Sequence, residues 1–107
     1  MSTVPIRNPE IVWRDEPEEK LAILAALERG EDAVERGWVI LVDRGQMHEL
    51  NLVAGEIWCL ADGTRDTEQI ARELSAAYEA PYEEILADVR AFVEGGCSRG
   101  WLTEESR

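Results

Sequence analysis

The sequence predicts an α+β fold, a small three-stranded antiparallel sheet followed by three helices. Three observations predict it. The run WVILV at 38–42 is wholly apolar, and β-branched or aromatic apart from one leucine; a turn-forming DRGQ then separates it from a second extended run, as in a hairpin. From residue 52 to residue 94 apolar residues recur at helical spacing in three blocks, the first closed by Asp62-Gly63 and the last opened by Pro81. The chain has 107 residues, enough for one core.

Taken in order, residues 1–10 hold two prolines and no periodicity, which predicts an irregular N-terminal arm. Residues 11–14, IVWR, are β-prone and give the first strand. Asp15-Glu16-Pro17 stops it, because proline is poor in a strand and good in the first turn of a helix. Residues 18–29, EEKLAILAALER, are strong helix formers with an apolar stripe of Leu21, Leu24, Ala25 and Leu27, and Gly30 is a natural stop. A helix is therefore inserted between the first and second strands, within an insertion spanning 16–36. Because WVILV is apolar throughout, both of its faces should be covered, one by the later helices and the other by the inserted helix or a partner. The returning strand ends at Leu50. An even loop puts Leu50 on the face of Val39 and Leu41, and an odd loop puts it with Trp38 and Ile40; the even loop is preferred.

The helices follow. Asn51 suits the N-cap of a helix over 52–61 that carries Val53, Ile57, Trp58 and Leu60. Asp66, with Gln69 three residues on, suits the capped start of a helix over 67–78, whose Ile70, Leu74 and Tyr78 share one face. Pro81 opens a third over 81–94, with Ile85, Leu86, Val89, Phe92 and Val93 as its stripe and Gly95-Gly96 as its stop. Trp101-Leu102 packs back as a short extended segment, and 103–107 is a tail. The arrangement is winged helix-turn-helix-like, one domain over 11–102.

Acidic residues outnumber basic ones 23 to 11, for a net charge of −12. Phosphate backbones and anionic membranes are bound by Lys and Arg, so this balance argues against nucleic acid and membrane as partners and permits a basic peptide or protein face. No apolar run reaches membrane-spanning length and no signal-peptide pattern opens the chain, which is expected to be cytoplasmic. The helix-turn-helix shape makes a winged-helix DNA-binding regulator the obvious alternative, but the last helix offers Glu83, Glu84, Asp88 and Glu94 against the single base Arg90.

No P-loop, G-x-G-x-x-G, H-E-x-x-H or nucleophile elbow is present. His48 has no Ser or Cys nucleophile beside it in sequence. Cys59 and Cys97 fall among apolar helix residues and read as buried free thiols. With His48 they make only three soft or imidazole groups, short of a zinc set. The chain is expected to be no enzyme and to hold no metal. What remains is a binding module. A hairpin whose last strand is an edge can accept an extended peptide as a further strand. The strand at 47–50 has no proline or lysine to blunt it, and Leu86, Val89, Arg90 and Val93 of the last helix offer a wall beside it. For Val89 and Phe92 core alone is the better reading, and for Leu86 and Val93 core and groove wall are even.

Three segments in order, ELNLVAGEIWCLADGTRDTEQIARELSAAY, LADVRAFVEGG and RGWL, resemble the PqqD-like proteins, the stand-alone form of the RiPP recognition element. The lead-in GQMHELN and the EIW resemble most the PqqD-like partners of geopeptide-type radical SAM maturation systems. The resemblance covers about 38–102, and Val12-Trp13-Arg14 agrees with the first strand. It implies a three-stranded sheet on three helices. It implies binding of the leader segment of a ribosomally made precursor peptide, added as a strand to the third strand, here Gln46, Met47, His48, Glu49 and Leu50, against the third helix. It also implies docking on a radical SAM maturase, which holds the cofactors, so that this chain is expected to need no cofactor of its own. The insertion at 16–36 departs from the family pattern; it could cover the sheet, contact the maturase or exchange between protomers of a homodimer. A purely structural subunit of the maturase, without peptide binding, is a further alternative.

Overall fold

The structure is a computed structural model that describes residues 2–106. The elements run β1 (Thr3–Arg7), β2 (Val12–Asp15), α1 (Pro17–Glu28), β3 (Val39–Asp43), β4 (Gln46–Leu50), α2 (Leu52–Leu60), α3 (Thr67–Tyr78), α4 (Tyr82–Ser98) and β5 (Leu102–Ser106). The chain is mixed α+β with antiparallel sheets, as its patterning predicts. It divides into two compact units, Glu10–Gly55 and the residues on either side of that segment.

The Glu10–Gly55 unit holds a three-stranded sheet in the order β2-β3-β4. Val39, Ile40 and Leu41 are buried, which fits the apolar run, whereas Val42 at its end is 38% exposed. The β3–β4 loop is the two residues Arg44-Gly45, both at positive φ (52° and 80°). A two-residue loop of that type matches the strand twist and fixes an even register, Val39 opposite Leu50 and Leu41 opposite His48. Leu50 therefore shares the face of Val39 and Leu41, as the even loop required. The inserted helix forms with Pro17 in its first turn and ends at Arg29-Gly30. Its buried residues are Ile23 and Ala26, not the expected stripe: Leu21 is 66% exposed and Ala25 is exposed. The helix is apolar on several sides, so counting bulky residues chose the wrong one.

In the other unit β1 and β5 pair antiparallel, from Thr3 opposite Ser106 to Arg7 opposite Leu102. This corrects the irregular arm at 1–10 and the tail at 103–107, of which residues 1 and 107 lie outside the described residues. The two strands lie at opposite ends of the sequence, and no local pattern reports such pairing. α3 packs on α4, and the β1–β5 ribbon packs on both helices. The core of this unit includes Ile57, Trp58, Ile70, Leu74, Ile85, Val89, Trp101 and Leu102. α3 starts with the expected capping box: Gln69 N–H donates to Asp66 Oδ1 at 2.7 Å and Asp66 N–H donates to Gln69 Oε1 at 2.8 Å. α4 runs through Gly95-Gly96, the expected stop, and ends at Ser98 with Arg99 as its C-cap. There Trp101 N–H donates to the Gly96 carbonyl and Gly100 N–H to the Cys97 carbonyl, a Schellman closure with Gly100 at φ +79°. Gly96 is buried within the helix instead, where its bare Cα leaves room for Leu102.

Candidate strand-addition edge

The sequence places five candidate residues on β4. Asn51 follows them and accepts the Ala54 N–H on its Oδ1 at 3.0 Å, so the strand gives way to α2 without an intervening loop. In the sheet order β2-β3-β4, β4 is an edge, and among the described residues no second strand pairs with it.

The hairpin geometry decides which backbone groups that edge offers. A two-residue turn closes on a hydrogen-bonded pair, here Asp43 and Gln46, and hydrogen-bonded pairs alternate from there with non-bonded ones. Gln46, His48 and Leu50 therefore direct their N–H and C=O groups to β3. The Leu50 carbonyl agrees, accepting the Trp38 N–H at 3.0 Å. Met47 and Glu49 direct theirs outward. Their side chains stand on the opposite face from Leu50: Met47 is 66% exposed and Glu49 is exposed, while Leu50 is buried and His48 half-buried.

The α4 candidates belong to the other compact unit. Leu86, Val89 and Val93 are buried at 6, 0 and 3% exposure, so each acts as core. Arg90 is the accessible one, with its Nη2 3.7 Å from Glu68 Oε1. Arg90 and Val93 border a polar cavity of about 450 Å³ that Thr67, Glu68, Glu94 and Glu104 also line.

The Cys59 and Cys97 side chains are half-buried rather than fully buried. Burial pushes the Cys97 thiol up, and the nearby Glu104 carboxylate, 3.6 Å from its Sγ, adds to the shift, so the reactive thiolate is disfavoured. Among the described residues no group of three or more His, Cys, Asp or Glu side chains is placed to hold a metal. Among the described residues no helix is long and apolar enough to cross a membrane.

An edge strand that runs through an N-capped junction into three helices makes this an α+β module with an open sheet edge, and comparison with known proteins supplies its family. Residues 37–102 match the family Coenzyme PQQ synthesis protein D (PqqD), and the chain belongs to it. The PqqA binding protein of Bradyrhizobium diazoefficiens is 34% identical over 73 residues, 68% of this chain and 70% of that protein. The solution NMR structure of the PqqD truncation of Methylobacterium extorquens PqqCD represents a functional and stand-alone RiPP recognition element. It superimposes with a TM-score of 0.64 at 22% identity, covering 94% of this chain and 88% of that one, and so shares the fold.

The sequence located the strand but not its outward residues. The signal was present in the loop: only a two-residue Arg44-Gly45 turn sends Met47 and Glu49 outward, and a one-residue change in loop length inverts the set.

Proposed function

We propose that this chain binds the leader segment of a ribosomally synthesised precursor peptide by strand addition to β4, and presents it to a radical SAM maturase. The observation that carries the reading is the bare β4 edge, on which the N–H and C=O groups of Met47 and Glu49 point away from β3. Family membership supports it, since the Bradyrhizobium relative is a PqqA binding protein and the Methylobacterium one a RiPP recognition element. The acidic balance favours a basic segment. The chain's own role is binding without catalysis. The maturase as partner follows from the sequence resemblance. Of the α4 candidates, Arg90 is the one whose charge can be removed without opening the core.

The test is calorimetric titration with synthetic precursor leader peptides. Glu49→Pro removes an outward donor, leaves the β3 ladder whole, and is tolerated on an edge strand. It is expected to weaken binding about tenfold, on the scale of one lost backbone hydrogen bond. Glu49→Ala is expected to keep the backbone bond. Equal affinity for wild type and Glu49→Pro contradicts strand addition at this edge.

A further inference from the structure

β4 carries more than a row of backbone groups, because its register aligns side chains across the whole sheet. Val12 stands opposite Val42, and Val42 opposite Met47. The three form one row on one face, and all three are exposed, at 69, 38 and 66%. An apolar row open to water at a sheet edge is unusual for a small acidic protein, and it stops at the position where a further strand would continue it. The next row on the same face is Arg14, Ile40 and Glu49. Ile40 is buried, so Glu49 ends this row as a carboxylate beside an apolar residue. Its side chain lies over Gly37, where an added Cβ would come within 2.7 Å of the Glu49 Cβ. The missing side chain at Gly37 thus gives Glu49 a defined place. No salt bridge reaches Glu49 among the described residues, although the chain has several other ion pairs.

We infer that Met47 and Glu49 are specificity-determining residues that read two side chains of the incoming strand. Opposite residues on neighbouring strands put their side chains on the same face, and such cross-strand pairs discriminate. The strand that this edge accepts carries an apolar residue opposite Met47 and a lysine or arginine opposite Glu49. Strand periodicity places the two residues two apart. The apolar one extends the Val12–Val42–Met47 row, and the basic one neutralises Glu49. The ligand class is therefore an extended peptide with an apolar–x–basic pattern, in whichever order the strand direction dictates. This inference rests on the strand-addition reading and refines it.

The experiment selects binders to the full chain from a displayed library of random 12-residue peptides. Selected peptides are resynthesised and followed by amide exchange at Met47 and Glu49. The expected result is enrichment of an apolar and a basic residue at a spacing of two, with both amides protected. Glu49→Lys should turn the basic preference acidic, and Met47→Thr should weaken selected peptides about three- to fivefold. Both side chains are exposed, and melting curves confirm that the variants fold. Protected amides without the side-chain preference, or a preference unchanged in Glu49→Lys, overturn this inference and leave strand addition standing. Selected peptides that protect neither amide, or a selection that yields none, overturn both.

Discussion

Gly55 and Trp38 approach so closely that no side chain fits between them. A Cβ on Gly55 would meet the indole Nε1 and lie 2.6 Å from Cε2, with Val39 Cγ2 at 3.0 Å. The indole is fixed in turn by its N–H, which donates to the Leu52 carbonyl at 3.2 Å. A glycine inside a helix normally destabilises it, and here it lets the first turns of α2 lie against the sheet. Gly55→Ala is expected to lower unfolding free energy by about 1–3 kcal/mol through overpacking, despite alanine's better helix propensity. Urea denaturation checks this; an unchanged or raised midpoint contradicts the close packing.

Arg7 ties β1 to the end of α2. Its Nη1 donates to the Trp58 and Cys59 carbonyls, both at 2.8 Å, in the last turn of a helix with no basic residue of its own there. A guanidinium at a helix C-terminus satisfies open carbonyls and the negative end of the dipole. Arg7→Met, which keeps the stem and removes the charge, should cost about 1–2 kcal/mol. The loss should shrink little at high salt, since the hydrogen bonds are partly buried.

Two residues other than glycine hold positive φ, Arg44 at 52° in the hairpin turn and Glu79 at 50° after α3. Left-handed backbone is costly for a residue with a Cβ. Arg44→Asn and Glu79→Gly should each raise stability by up to about 1 kcal/mol. The sites lie in separate compact units and share no partner, so the effects should add. Thermal melts of the single and double variants measure this.

The Tyr78 hydroxyl donates to Glu56 Oε2 at 2.8 Å. Burial first, and then Glu56 through its hydrogen bond and charge, push the phenol well above its ordinary value of 10.0. A group whose folded value is raised contributes stability that is complete below its unfolded value and lost as pH rises through the folded one. Wild type should therefore hold constant stability from this pair up to about pH 10 and lose it above. Tyr78→Phe should be less stable by about 1 kcal/mol at pH 7 and should lack this alkaline loss. Denaturation midpoints across pH 7–11 check both.

The central elements were legible in the sequence because each is set by neighbours in sequence. Asn51, the Asp66–Gln69 box and the Arg44-Gly45 turn are local chemistry, and the elements they bound formed as expected. Three features were hidden for physical reasons. β1 and β5 pair across nearly the full chain, and Pro5 disguises β1. In α1, Ile23 and Ala26 are buried while bulkier Leu21 is not, because tertiary packing chose among several apolar sides. Gly95-Gly96 reads as a stop, yet Gly96 is needed for the approach of Leu102. The edge strand itself was readable, but its outward residues were not, because they depend on the register.

The most direct measurement of the central claim is hydrogen exchange at individual β4 amides, with and without a saturating leader peptide. The Met47 and Glu49 amides point away from β3 and should exchange fast in the free protein. On binding they should slow on the order of tenfold or more, while His48, directed to β3, changes little. Saturated protein whose Met47 and Glu49 amides exchange at the free rate would contradict strand addition to β4.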